Sequence, residues 1–326
     1  MLSLKRLEKE KKIYSWMLAL TLTAIAAILF YLYYDLGPNP GFVFPRRRLR
    51  VISMVAVSVA IAYSSVIFQT ITTMKIFTPS IIGFDALYMF IQSVLVLIVA
   101  SGGYFISGAS NFLLSVGIMM LFSLGIYALI FRKGTQSIHF LLLSGMIMGT
   151  IFSSMTTFIQ LLIDPDEFAI LQNRIFISFN SINEPLILVA VVVIAIGILA
   201  GIPYFKYLDV MALGHDAAVT LGAQHKRLSK YYLVIIAMLV SSSTALVGPA
   251  TFLGLIVTNL TYQLVNSHKH RHIIPICILI SIISVVLGQF LVSRAFNLST
   301  NLSVIINFIG GLYFMYLLLF KNRSTL

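Results

Sequence analysis

The chain has 326 residues, 59% of them hydrophobic and only 10% charged, and a mean hydropathy of +1.00. A water-soluble domain with a polar surface cannot reach that balance, so the composition specifies a polytopic membrane protein. The formal net charge of +12 sits in short segments between apolar runs rather than on one soluble face, which argues against a nucleic-acid partner. The lone cysteine, Cys277, rules out an intrachain disulfide framework or a cysteine metal site.

In chain order, Lys5, Arg6, Lys9, Lys11 and Lys12 precede an apolar run over residues 13–34. It is longer than a signal-peptide core and has no small-residue cleavage site, so it reads as a retained first helix. Further runs of spanning length lie near 49–72, 79–100, 111–131, 138–163, 186–205, 231–247, 249–266, 273–296 and 303–320. The expectation is an all-α membrane protein of about ten transmembrane helices, one permease domain over residues 1–326. Gly248-Pro249 marks either a tight outer turn between the seventh and eighth spans or a kink in one broken helix. Charge favours the turn. With ten crossings and both termini cytoplasmic, 16 of the 22 Lys and Arg residues fall inside, leaving Arg46, Arg47, Arg48, Arg50, Arg174 and Arg294 outside. The longest outer loop, 164–185, carries Asp164, Asp166, Glu167 and Glu184, and Tyr31, Tyr33 and Tyr34 mark an interfacial helix end.

No phosphate-cradling GxxxxGK[ST] or GxGxxG pattern occurs, so the chain is not expected to hydrolyse ATP, and no catalytic residue, cofactor or metal site is expected. Asp85, His139 and Arg294 are the ionisable groups nearest the spans, and each falls toward a span end. An ion-coupled carrier normally keeps a buried carboxylate or histidine in mid-span, so that class is disfavoured; it survives as a competitor in which Asp85 near Lys75 takes part in coupling. A membrane enzyme is weaker still.

Energy would then enter through contact with another protein, and residues 208–222 are suited to that. As a helix this segment reaches only about 21 Å, short of the roughly 30 Å hydrocarbon core. Asp209 can cap one short helix that Gly214 ends, and a second can run from His215 to Gly222, with Leu208, Met211, Val219 and Leu221 as apolar contacts. A helix-in-groove contact fits; an amphipathic helix resting on lipid is the alternative.

Three stretches, TPSIIGFDALY from Thr78, LDVMALGHDAAVTLG from Leu208 and GPATFLGLIVTNLTYQLV from Gly248, resemble the FecCD family, permease subunits of iron-siderophore, haem and vitamin B12 ABC importers. The resemblance covers roughly residues 46–320 and agrees with the ten-span count. It implies the type II ABC importer permease fold. It also implies that Leu208, Asp209, Met211, Gly214, His215, Asp216, Leu221 and Gly222 engage cytoplasmic ABC ATPase subunits. A second permease, identical or related, would complete a central pathway in the lipid bilayer of a bacterial cell membrane. The cargo implied is an iron-siderophore, with haem or vitamin B12 as alternatives, and TPSIIGFDALY looks most like the catecholate or related siderophore branch. RRRLR at 46–50 and TTMKIFTPS from Thr72 depart from the family's common pattern. Because Arg47, Arg50 and Arg294 break the positive-inside trend and match family arginines, they are expected to dock an extracellular or periplasmic substrate-binding protein. Snorkelling to lipid phosphate is the plainer alternative.

Ser153, Thr156, Thr157 and Gln160 recur at i, i+3, i+4 and i+7, a polar stripe expected to line the translocation path, though such hydroxyls also serve between helices. His268, His270 and His272 alternate with Lys269 and Arg271, which would repel a metal, so this reads as a positive cytoplasmic loop. The Gly145/Gly149 and Gly197/Gly201 pairs read as close helix packing.

Overall fold

The computed structural model describes residues 2–36, 38–101, 108–132, 138–175, 179, 184–265, 267–295 and 302–320. These form thirteen α-helices: α1 Leu2–Tyr33, α2 Pro40–Thr72, α3 Phe84–Ala100, α4 Gly108–Arg132, α5 Ile138–Gln160, α6 Pro165–Ile175, α7 Glu184–Gly201, α8 Phe205–Met211, α9 His215–Thr220, α10 His225–Val247, α11 Leu253–Leu264, α12 His270–Ala295 and α13 Leu302–Phe320. One-turn 3-10 helices at Pro79–Ile82 and Ile202–Tyr204 precede α3 and α8. The ten apolar runs correspond one to one with α1–α5, α7 and α10–α13. Seven of these helices are long and apolar enough to cross a membrane by length and composition.

The centre of the bundle is α2, whose face from Met54 to Thr72 packs against α12, α10, α7 and α11. Small residues let the neighbours approach: Ala60, Ala62, Ser58 and Ser64 are sealed along with Val66, Ile67 and Phe68. The periphery is apolar too. Leu18 and Leu22 of α1 are 65% and 60% exposed, as suits a helix whose outer face meets hydrocarbon.

Two helices are short for their runs. α3 has 17 residues and α11 only 12, because each is preceded by irregular backbone lying inside the bundle. Such backbone survives in a membrane protein only where protein satisfies its polar groups. Here Gln69 Nε2 and Asn259 Nδ2 both donate to the Lys75 carbonyl, at 3.0 and 3.3 Å, the Gly83 N–H reaches Ser80 O at 3.0 Å, and the Gly248 N–H reaches Thr244 O at 2.7 Å. The Gly248-Pro249 turn does separate two helices; both residues are buried, and just beyond them the Thr251 hydroxyl donates to Asp85 at the start of α3. The glycine pairs pack as expected. A Cβ on Gly145 would stand 2.7 Å from Ile82 Cα, one on Gly149 3.3 Å from Gly83 Cα, and one on Gly201 would overlap the Tyr63 hydroxyl.

The loop expected at 164–185 contains α6. Asp166 and Glu167 in its first turn offset the helix dipole, and Leu171 and Phe168 pack with Val96 and Ile163. An 11-residue amphipathic stretch following a polar break carries too weak a signal to stand out beside spans.

Candidate functional site

Residues 202–224 form an elbow between α7 and α10; its first part, up to Met211, continues the apolar stretch that begins at Glu184. Gly214 (φ 97°) and Gly222 (φ 81°) are left-handed, a conformation costly for any side chain, and they bracket α9. The expected pair of brief helices is present, but its two halves differ. In α8, Leu208 and Met211 are fully buried in this chain's own core. In α9 only Ala218 is buried; His215 and Asp216 are exposed, and Leu213, Val219 and Leu221 are 63%, 52% and 63% exposed. Three apolar side chains, Val219 in α9 and Leu213 and Leu221 on either side of it, are therefore more than half exposed.

Asp209 does not cap α8, as expected from sequence; it lies within the helix and reaches across to α12. Its Oδ1 accepts from the His270 backbone N–H at 2.7 Å and from His270 Nδ1 at 2.7 Å. On its other side, His270 Nε2 lies 2.6 Å from the Thr70 hydroxyl on α2. The HKHRH segment is thus not simply a solvated loop: His270 and His272 open α12 and are 2% and 5% exposed, the His272 ring lying 5.8 Å from Tyr14. Sequence reading missed His270 because the alternating cations dominate the local pattern and its partners are 61 and 200 positions away.

At the opposite end of the bundle, Arg47 folds back on α1. Its guanidinium donates to the carbonyls of Tyr31, Tyr34 and Asp35 at 3.2, 2.6 and 2.9 Å, satisfying the helix C-terminus. Arg294 pairs with the Asp35 carboxylate at 2.7 Å and lies 5.3 Å from the Tyr34 ring centroid, yet stays 40% exposed. Arg50 is half-buried, with no ion pair among the described residues. The structure brings Arg47 and Arg294 together around Asp35, and Arg50 follows Arg47 one turn along α2.

The α5 stripe divides. Ser153 and Thr157 face outward, Gln160 is half-buried and Thr156 is 5% exposed; Thr156 and Thr157 donate to their own helix carbonyls, Phe152 O at 2.7 Å and Ser153 O at 3.0 Å. Asp85, the carboxylate an ion-coupled carrier would need, accepts from the Thr251 hydroxyl at 2.7 Å and makes no ion pair with Lys75 among the described residues; Lys75 Nζ instead stands 5.2 Å from the Tyr262 ring.

A ten-run helical bundle with irregular backbone before α3 and α11 and an elbow of two brief helices between α7 and α10 is the architecture of a type II ABC importer permease. The same fold occurs in a solved structure described as an inward-facing conformation of a putative metal-chelate type ABC transporter, with a TM-score of 0.81 and 22% identity, covering 94% of this chain and 99% of that one. The chain belongs to the FecCD transport family, whose model matches residues 13–320 and so includes the first helix. It is 46% identical over 305 residues to the petrobactin import system permease protein YclO of Bacillus subtilis, covering 92% of this chain and 96% of that protein. It is also 34% identical over 328 residues to the petrobactin import system permease protein FatC of Bacillus anthracis, covering 97% and 92%. It is a multi-pass membrane permease and one component of an import system.

Proposed function

We propose that this permease carries an iron-siderophore of the petrobactin kind into the cytoplasm, driven by ABC ATPase subunits that grip α9. The near end-to-end identity of 46% with a petrobactin permease carries the choice of cargo. The exposed apolar side chains Leu213, Val219 and Leu221, in α9 and at its two ends, support the choice of contact, since exposed apolar groups around a short polar helix fit a groove on a partner. In this reading the elbow and both termini are cytoplasmic, consistent with the basic bias of that end. A second permease, identical or related, faces the open side of α5, where Ser153, Thr157 and Gln160 line the pathway.

The arginine end receives an external substrate-binding protein. Exposed Arg294 and half-buried Arg50 supply charge for acidic partners, while Arg47 holds α1 in place behind them. The Asp35–Arg294 pair is exposed on both sides, so exchanging partners costs little.

Leu213→Glu/Leu221→Glu in the assembled complex tests the central assignment. Both residues are solvent-facing, so the permease is expected to keep its thermal stability and lose at least tenfold in ATPase co-purification. Retention of the ATPase at the wild-type ratio refutes the contact.

A further inference from the structure

We propose that Asp209, His270 and Thr70 form the transmission through which the elbow moves the bundle, with α8 as its anchored half and α9 as its contact half. This rests on the reading of α9 as the ATPase contact. The chain of contacts is continuous from one element to the next. The carboxylate of Asp209 on α8 holds the backbone and ring of His270 at the start of α12, both at 2.7 Å. The far ring nitrogen meets Thr70 on α2 at 2.6 Å, and the Thr70 hydroxyl lies 2.8 Å from Val66 O in its own helix. His270 is 3% exposed at its side chain, so its ring is held between its two partners. Leu208 and Met211 seat α8 in the same core beside this chain.

The consequence is mechanical. α2 and α12 pack along their lengths, so a displacement of α8 is delivered to both members of the central pair at once. α9 is jointed at both ends by left-handed glycines and contributes one buried side chain, which suits a part that adapts to a partner rather than one that transmits force. Room for the movement exists behind the elbow: a cavity of about 920 Å³ is lined by Ala212 of the elbow and by Thr70, His270, Lys12, Trp16 and Lys75. An Asp209 that only finishes the α12 N-terminus would make the same bond to the backbone, so the two roles are separated by coupling and not by stability.

The test uses the full complex of permease, its second permease and its ATPase in proteoliposomes, with the substrate-binding protein and ferric petrobactin as the cargo probe. Import per ATP hydrolysed is measured for Asp209→Ala, Asp209→Asn, His270→Ala, Thr70→Val and the Asp209→Ala/His270→Ala double variant. Asp209→Ala and His270→Ala are expected to import at least fivefold less per ATP while retaining the ATPase at the wild-type ratio. The double variant falls no further than either single, and Asp209→Asn, which keeps an acceptor oxygen, recovers part of the loss. Where His270→Ala fails to reach the membrane, Thr70→Val carries the test with an expected loss of about twofold. Import per ATP equal to wild type in Asp209→Ala and Thr70→Val overturns the transmission, and so does loss of the ATPase from Asp209→Ala, which makes Asp209 a contact residue. A wild-type permease that binds no ATPase defeats the α9 reading itself and the transmission with it.

Discussion

The contact between α5 and the turn before α3 gives a prediction whose size follows from geometry. A Cβ placed on Gly145 stands 2.7 Å from Ile82 Cα and 3.2 Å from its carbonyl carbon, both backbone atoms that cannot rotate away. Relaxing these contacts to the ordinary 3.5–4.0 Å separation of carbon atoms requires a shift of about 1 Å between α5 and the 79–83 segment. Gly145→Val adds two further methyl groups in the same direction. Overpacking of this kind costs about 1–3 kcal/mol, and the rigid backbone neighbour places this case near the upper end. Gly117→Val in α4 is the control, because nothing lies within 4 Å of its Cβ and the intrinsic helix term is the same. The difference between the two variants therefore isolates packing. Thermal unfolding of the detergent-solubilised protein, followed by size-exclusion chromatography, is expected to show Gly145→Val lower than Gly117→Val by several degrees, since about 2–4 °C accompanies each kcal/mol in domains of comparable size. Equal midpoints would refute the close approach of α5 and with it the placement of the irregular segment inside the bundle.

Leu208→Ala removes a fully buried side chain from α8 and is expected to cost about 2–5 kcal/mol in stability; an unchanged unfolding midpoint contradicts the anchored role of α8. Arg47→Ala strips the donors from the end of α1, with an expected cost of about 2 kcal/mol, and hydrogen exchange of residues 30–36 should quicken; if protection persists, the guanidinium is not the cap. Cysteine substitutions along α5 in a Cys277→Ser background divide by facing: Ser153→Cys and Thr157→Cys react with a water-soluble thiol reagent if they line a pathway, and Thr156→Cys stays unmodified because it is sealed. Equal labelling at all three positions contradicts the described orientation of the helix.

Much of the architecture was legible without coordinates. Apolar length is a local property of the chain, so the ten runs locate ten helices, and Gly214 and Gly222 mark the joints of the elbow because only glycine sits easily at φ near +90°. The three segments that carried the FecCD resemblance were equally local. Facing was a different matter. In a soluble helix the polar side announces which way is out, whereas a membrane helix is apolar toward lipid and toward protein alike, so periodicity is silent about its neighbours. Leu208 and Leu221 are the same residue type in one segment, yet one is sealed and the other open, and only the packing of α8 against α2 and α12 separates them. Arg47 turning back onto α1, the burial of the Gly248-Pro249 turn and the joining of Asp209, His270 and Thr70 were decided in the same way. Each depends on residues distant in sequence, brought within hydrogen-bond reach by tertiary structure, where polar groups withdrawn from water must find their partners.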